Sequence, residues 1–249
     1  MIDPNLFSTR SAIFAKYEFE KFRNERNIRF NYKYHTHDAA LKYMYVIKRV
    51  ERFLENRTNV KVLDMGCGDG SMLHILNKSF GVSGVGFDPI LKSKKMRLNN
   101  LRLHGFSSSI NLIALNHLDF MHKTNGKFDI IIDLCAVTHF DTKCIKKINS
   151  SWDFIGSSLK NWINPGGIFI SATDVSVYDK NCEFLFARNI LNFMSTLGSI
   201  SDKNTMPTNS NLFKSKSIFQ DRNVFQRLGK SGNKDIILGV LGFELKVAS

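Results

Sequence analysis

The chain is poor in cysteine, proline, tryptophan and acid, and each shortage excludes something. It has only four cysteines, Cys67, Cys135, Cys144 and Cys182. None of them stands in C-x-x-C spacing, so neither a zinc site nor a disulfide framework is indicated. No metal is expected, and a reducing, cytoplasmic setting fits. No apolar run approaches the roughly 18 residues of an ordinary membrane-spanning helix, so no membrane partner is expected. The opening Met-Ile-Asp-Pro-Asn-Leu-Phe lacks a basic stretch followed by an apolar one, so no secretory signal is visible. There is no internal repeat. What remains is ordinary globular material: 249 residues, 43% hydrophobic and 23% charged. That length suits one α/β domain with appendages as well as it suits two domains. Acid is the scarcer sign, 22 Asp and Glu against 35 Lys and Arg, a net charge of +13. Such a charge favours an anionic partner or substrate and says nothing of fold. The flanks, 1–60 and 176–234, are more basic per residue than the middle.

Ser8 or Thr9 can cap a first helix running to about Arg26, with Ile13, Phe14, Tyr17 and Phe22 on one side. Ala40, Tyr43, Met44, Ile47, Val50 and Leu54 recur at helical steps and predict a second helix, with Asp38 in its first turn. Strands and helices then alternate. Strands are expected at Val60–Met65, Val82–Phe87, Ile110–Leu115, Phe128–Cys135 and Ile168–Ala172. Helices are expected at Ser71–Phe80, Leu91–Leu103 and Trp152–Ile163, the last ending at Asn164-Pro165-Gly166-Gly167. A helix over Lys234–Leu241, a stop at Gly242 and a strand over Phe243–Ala248 complete the series. Strands apolar on both faces, alternating with helices, predict a doubly wound, mainly parallel Rossmann-like sheet. Residues 199–217, rich in Ser, Asn, Lys and Thr, read as a loop.

The most informative stretch is Val62-Leu63-Asp64-Met65-Gly66-Cys67-Gly68-Asp69-Gly70. It joins a strand to a helix, as a nucleotide-binding turn does. It is not G-x-G-x-x-G, because the third glycine comes one residue early, and no Gly-Lys-Ser/Thr follows. Asp64 stands where a pyrophosphate would sit in a dinucleotide site. A carboxylate there repels phosphate and can hold an ammonium group, so the loop suits a cofactor with an amino-acid head. Asp88-Pro89 closes the second strand, 18 residues after Gly70, where an acid can take ribose hydroxyls. Leu118-Asp119-Phe120 follows the third strand. Asp119 can accept from an adenine amine, and Phe120 can offer an apolar face or a backbone N–H. The three acids together describe S-adenosyl-L-methionine. The expected cofactor set is Asp64, Met65, Gly66, Cys67, Gly68, Gly70, Asp88, Pro89, Leu118, Asp119, Phe120 and Asp133.

On these motifs, with Phe128-Asp129, Asp133 and the Asn164–Gly167 turn in register, the sequence resembles the class I S-adenosylmethionine-dependent methyltransferases over about residues 38–174. The resemblance implies a seven-stranded sheet with helices on both faces. N-terminal helices precede it, and an insertion follows the fifth strand. It divides the chain into an N-terminal helical extension, 1–37, and a methyltransferase domain, 38–249, with an acceptor-side lid over 176–233. Leu241-Gly242-Phe243-Glu244-Leu245 resembles the junction into the family's sixth strand, which leaves the last strand of the sheet open. Asp129 reads as a structural acid at the start of its strand. Asp133, near the carboxyl end of the same strand, is open between lining the active site and structure. His139 is a candidate general base, its alternative a packed or capping histidine. Cys67 and Cys135 read as small apolar fillers, and Lys92, Lys94, Lys95, Arg97 and Arg102 as a solvated helix face.

Methyl transfer from a sulfonium needs alignment more than it needs an acid or base. The acceptor is therefore sought in the basic, aromatic-bearing flanks. A small molecule is the first expectation and RNA the alternative, with an anionic group in either case. A short likeness to cap guanine-N7 enzymes surrounds Thr138-His139-Phe140 and Leu159–Thr173. A third reading, a cofactor-binding protein without activity, sits poorly with the intact Asp64, Gly66, Gly68 and Asp88 set. DNA is not expected. The fourth strand ends in Asp133-Leu134-Cys135-Ala136 rather than Asn/Asp-Pro-Pro-aromatic, and no Pro-Cys pair occurs. Ile168–Thr173 also lacks the lysine of Lys-Asp-Lys-Glu ribose methyltransferases.

Overall fold

The structure is a computed structural model that describes residues 5–6, 9–30, 39–105, 107–137, 158–159, 161–176 and 238–246. Among these, seven strands form one sheet in the order β1-β7-β6-β5-β2-β3-β4. The strands are β1 (Asn5–Leu6), β2 (Lys61–Met65), β3 (Ser83–Phe87), β4 (Ile110–Ile113), β5 (Phe128–Asp133), β6 (Ile163–Ser176) and β7 (Leu238–Lys246). β4, β3, β2, β5 and β6 are mutually parallel. β7 runs antiparallel to β6, and β1 antiparallel to β7. This is the Rossmann-like α/β arrangement expected from the alternating pattern. From β2 the chain moves outward to β3 and β4, then returns to lay β5 on the other side of β2. That reversal opens a crevice at the carboxyl ends of β2 and β5, where ligands bind in such sheets.

The central strands are apolar on both faces because helices cover both. Val62, Leu63, Ile130, Ile131 and Ile132 are fully buried. α3 (Ser71–Phe80) matches its expected bounds and stops at Gly81, whose N–H caps the carbonyl of Asn77. α2 (Ala39–Leu54) buries Ala40, Tyr43, Met44, Ile47 and Val50, as the period predicts, and Leu41, Tyr45 and Val46 besides. α1 (Thr9–Glu25) buries Ala15, Phe19 and Phe22 in the same core. Tyr17, expected on that face, is 69% exposed: it lies two residues from both Ala15 and Phe19, roughly 200° around the helix.

Three expectations are corrected. The helix over Leu91–Leu103 is a 3-10 turn, Pro89–Lys92, then α4 (Lys94–His104), broken at extended Ser93. Asp88 caps that turn by accepting from the Ile90 N–H, and Pro89 fixes its start. Ile163 belongs to β6 rather than to the preceding helix, and Asn164–Gly167 bulges out between the Phe128–Ile163 and Ile130–Ile168 pairs. Leu238–Gly242 is strand, not helix and stop: β7 pairs continuously with β6 from Ile168–Lys246 to Ser176–Leu238. Its Val-Leu-Gly-Phe core suits extended backbone, and the long partner strand supplies the ladder. β7 therefore takes the seat beside the fifth parallel strand, and β1 the seat beyond it. Most of the Trp152–Ile163 helix, the 199–217 loop, the 176–233 lid beyond Ser176, Asp38 and His139 lie outside the described residues.

Candidate active site

The strand-to-helix turn after β2 carries three glycines at positive φ: Gly66 at 61°, Gly68 at 57° and Gly70 at 79°. Three left-handed residues within five positions fold the backbone into a tight cradle that side chains would strain. A Cβ built on Gly68 would meet no heavy atom of the described residues within 4 Å, which leaves room above it for a ligand. The carboxylate of Asp88, at the end of neighbouring β3, reaches back to this cradle. Its Oδ2 accepts from the Gly68 N–H at 3.0 Å and its Oδ1 from the Ile90 N–H at 2.8 Å. Cys67 is also tied to β3, its N–H donating to the Phe87 carbonyl.

Asp64 differs from every acid around it. It is 1% exposed, and among the described residues neither carboxylate oxygen has a hydrogen-bond partner. Burial pushes its pKa well above the usual carboxylate value, and the negative charges of Asp133, Asp88 and Asp69 push it further. A buried carboxylate without donors is costly and asks for a cation or a donor from outside the chain. The methionyl ammonium of S-adenosylmethionine supplies both, so the site fits that cofactor.

Asp133 is equally deep but provided for. Its Oδ1 accepts from the N–H groups of Ala136 and Val137, at 2.8 and 3.0 Å, and its Oδ2 from Ser171 Oγ at 2.7 Å. It fixes the loop after β5 and the neighbouring strand β6, which makes it a positioning residue rather than a group offered to substrate. Asp129 is structural as expected, accepting from the Lys61 N–H and from Asn164 Nδ2. Asp119 lies in the first turn of α5 (His117–Lys123), capped by Asn116. It is exposed, and its Oδ2 accepts from Asn116 Nδ2 at 3.0 Å. Leu118 is half-buried beside it. Phe120 is used by the protein itself. Its ring is fully buried against Phe87, with centroids 4.2 Å apart, and its N–H donates to the Asn116 carbonyl. Met65 is buried in the strand and Pro89 is exposed at the mouth.

Two residues escaped the sequence reading. Tyr43 of α2 is buried beside this cluster: burial, then the charges of Asp69 and Asp64, raise its phenol well above its ordinary pKa. Its helical period marked it as core, and nothing local showed that the core there borders acids. Asp69, within the glycine loop, is 3% exposed and its Oδ1 accepts from the Ser71 N–H, starting α3. The Cys67 thiol is also raised, by burial first and then by Asp64, so it stays a neutral filler.

The family described as a methyltransferase domain matches residues 56–223. The chain belongs to that family and carries a class I methyltransferase domain whose cofactor is S-adenosylmethionine. Among solved structures, a geranyl diphosphate C-methyltransferase from Streptomyces coelicolor A3(2) is similar at TM-score 0.52 and 11% identity. That match covers 83% of this chain and 84% of that one. A candidate sarcosine dimethylglycine methyltransferase from Galdieria sulphuraria gives 0.51 and 12%, covering 85% and 87%. A candidate S-adenosylmethionine-dependent methyltransferase from Streptococcus mutans gives 0.45 and 14%; 81% of this chain matches 48% of that longer one. No curated protein matches the sequence. Among the described residues, no helix is long and apolar enough to cross a membrane, and no group of His, Cys, Asp or Glu could hold a metal ion.

Proposed function

We propose that this chain transfers the methyl group of S-adenosylmethionine to a small-molecule acceptor. The observation that carries the reading is the buried carboxylate of Asp64, to which none of the described residues donates. In this reading Asp64 holds the methionyl ammonium, and the Gly66–Gly70 cradle passes beneath the cofactor. Asp88 takes the ribose hydroxyls and Asp119 the adenine amine, with Leu118 against the ring. The cofactor brings an activated methyl group, and the protein's part is to bind, to align and to exclude water. Asp133 contributes by holding the loop after β5, and His139 is the candidate base. In this reading the acceptor is taken by the basic segments 1–37 and 176–233 and carries an anionic group that answers their excess of Lys and Arg.

Calorimetry with S-adenosylmethionine and S-adenosylhomocysteine tests the cofactor assignment. Binding should raise the melting temperature, since a ligand of the folded state alone stabilises it. Asp88→Ala should weaken binding by about tenfold to a hundredfold, for loss of hydrogen bonds to a charged acceptor. No heat with either compound, or full affinity in Asp88→Ala, would sink the assignment. The net charge of +13 favours a second reading, an RNA acceptor. Labelled cofactor offered separately to a metabolite extract and to total RNA separates the two.

A further inference from the structure

Between α3, the end of α4 and the segment after α1 lies a cavity of about 560 Å³. Small-molecule sites commonly fall between roughly 300 and 1,000 Å³. Three separate pieces of chain build it. Asn27 and Arg29 follow α1, His74 and Lys78 lie on α3, and Arg102 and His104 close α4. The hollow runs along α3 from Lys78, about 10 Å from Ser71, up to His74 and His104 near the start of the helix. It is distinct from the crevice that holds Asp64.

The lining has one sign. Arg29, Lys78 and Arg102 are cationic, and no Asp or Glu lines the cavity among the described residues. Residues 89–118 contain no acid at all. Upstream, Glu20 pairs with Arg23, and Glu25 with Lys21 and Arg26, so the nearest carboxylates of α1 are engaged elsewhere. Lys78 is held in place: its Nζ donates to the Asn27 carbonyl at 2.6 Å, which leaves two N–H groups for a ligand. His74 and His104 stack in parallel with centroids 4.8 Å apart, and His104 Nε2 meets Ser71 Oγ at 3.0 Å. Burial lowers the His74 pKa and favours its neutral form. Three cations around one hollow repel one another, and an anion seated among them relieves that repulsion.

We propose that this cavity binds a phosphate group, presented by a free nucleotide or by the backbone of an RNA strand. The inference is independent of the acceptor reading above, because none of Asp64, Gly66, Gly68, Gly70, Asp88 and Asp119 lines this cavity. The test uses the full chain at low salt with three probes: inorganic pyrophosphate, ATP, and a fluorescein-labelled single-stranded RNA. If the source is a free nucleotide, ATP binds with measurable heat and the RNA does not. If it is RNA, the labelled strand binds and pyrophosphate displaces it. In either case Lys78→Glu with Arg102→Glu should weaken binding at least tenfold, and Arg29→Gln should weaken it severalfold. S-adenosylhomocysteine should still raise the melting temperature of these variants, which shows that they fold. Failure of all three probes to bind, or unchanged affinity in the charge-reversed variant, overturns the site.

Discussion

Asp64 and Asp133 end neighbouring strands, and the register places Met65 opposite Asp133. Both side chains are buried and both lie at the switch point of the sheet. Among the described residues, Ala136, Val137 and Ser171 donate to Asp133, and none donates to Asp64. The same residue type at the same depth therefore serves as a joint in the frame or as an open valence. Burial alone does not tell them apart; the count of donors does. On this view a functional acid is one that the folded chain leaves unsatisfied, and its cost is repaid when the missing partner binds.

That contrast can be broken most severely at Asp133. Asp133→Ala would strand two backbone N–H groups and the Ser171 hydroxyl in the interior. The expected loss is about 3 kcal/mol or more, a fall in melting temperature of roughly 6–12 °C for a chain this size. A urea melt that matched wild type would refute the frame role. Gly86→Ala probes the packing beneath Asp64, to which Gly86 is the register partner on β3. Its new Cβ would lie 2.7 Å from Cys67 Sγ and 2.9 Å from Leu73 Cδ1. Overpacking of this kind costs about 1–3 kcal/mol. Adding Cys67→Ala should recover part of it, and thermal denaturation of the double variant decides.

Asp64→Asn should act in the opposite direction. Removing a buried carboxyl that no described residue satisfies should raise the melting temperature of the cofactor-free protein at neutral pH by a few degrees, worth about 1–2 kcal/mol. It should also weaken cofactor binding at least tenfold. A melting temperature lowered at every pH would show that Asp64 has a structural partner after all. The pH dependence follows from the sign of the shift. A carboxyl whose folded pKa is raised is easiest to bury below its unfolded pKa, and that contribution is lost as pH rises through the folded value. Without cofactor, stability should therefore fall as Asp64 ionises, while affinity for the ammonium-bearing cofactor should rise over the same range. Asp64→Asn should flatten both trends. The smallest effect is expected far from this contrast. Lys48→Ala breaks an exposed pair with Glu18 and should cost less than about 1 kcal/mol, read from the same melts.

Much of this was legible in the sequence. Alternating apolar runs gave the five parallel strands, and the glycine spacing with Asp64 and Asp88 gave the cradle. What failed to show was settled between distant segments. Leu238–Gly242, with two glycines in five residues, has little preference of its own for helix or strand, and the ladder offered by the far end of β6 decides for strand. Phe120 looked available to a ligand because a sequence does not show Phe87 waiting to stack on it. Asp64 and Asp133 were both visible as acids at strand ends. Their difference depends on Ser171, thirty-eight residues away, and on a loop conformation after β5. Tyr43 was visible as core and hidden as a neighbour of acids for the same reason.

The two-residue strand β1 pairs Asn5 with Gly242 and Leu6 with Leu241. At the roughly 5–20 residues per second of synthesis, Asn5 leaves the ribosome about 12–50 s before its partner exists. The five parallel strands can assemble in that interval, but among the described strands none pairs with the outer edge of β6 until β7 arrives. Closing a loop this long carries a large entropic penalty of its own, recovered only by contacts already in place. The border of the sheet is thus the last part of the molecule to be sealed, and during the wait the nascent chain exposes a bare β6 edge, open to mispairing with another strand.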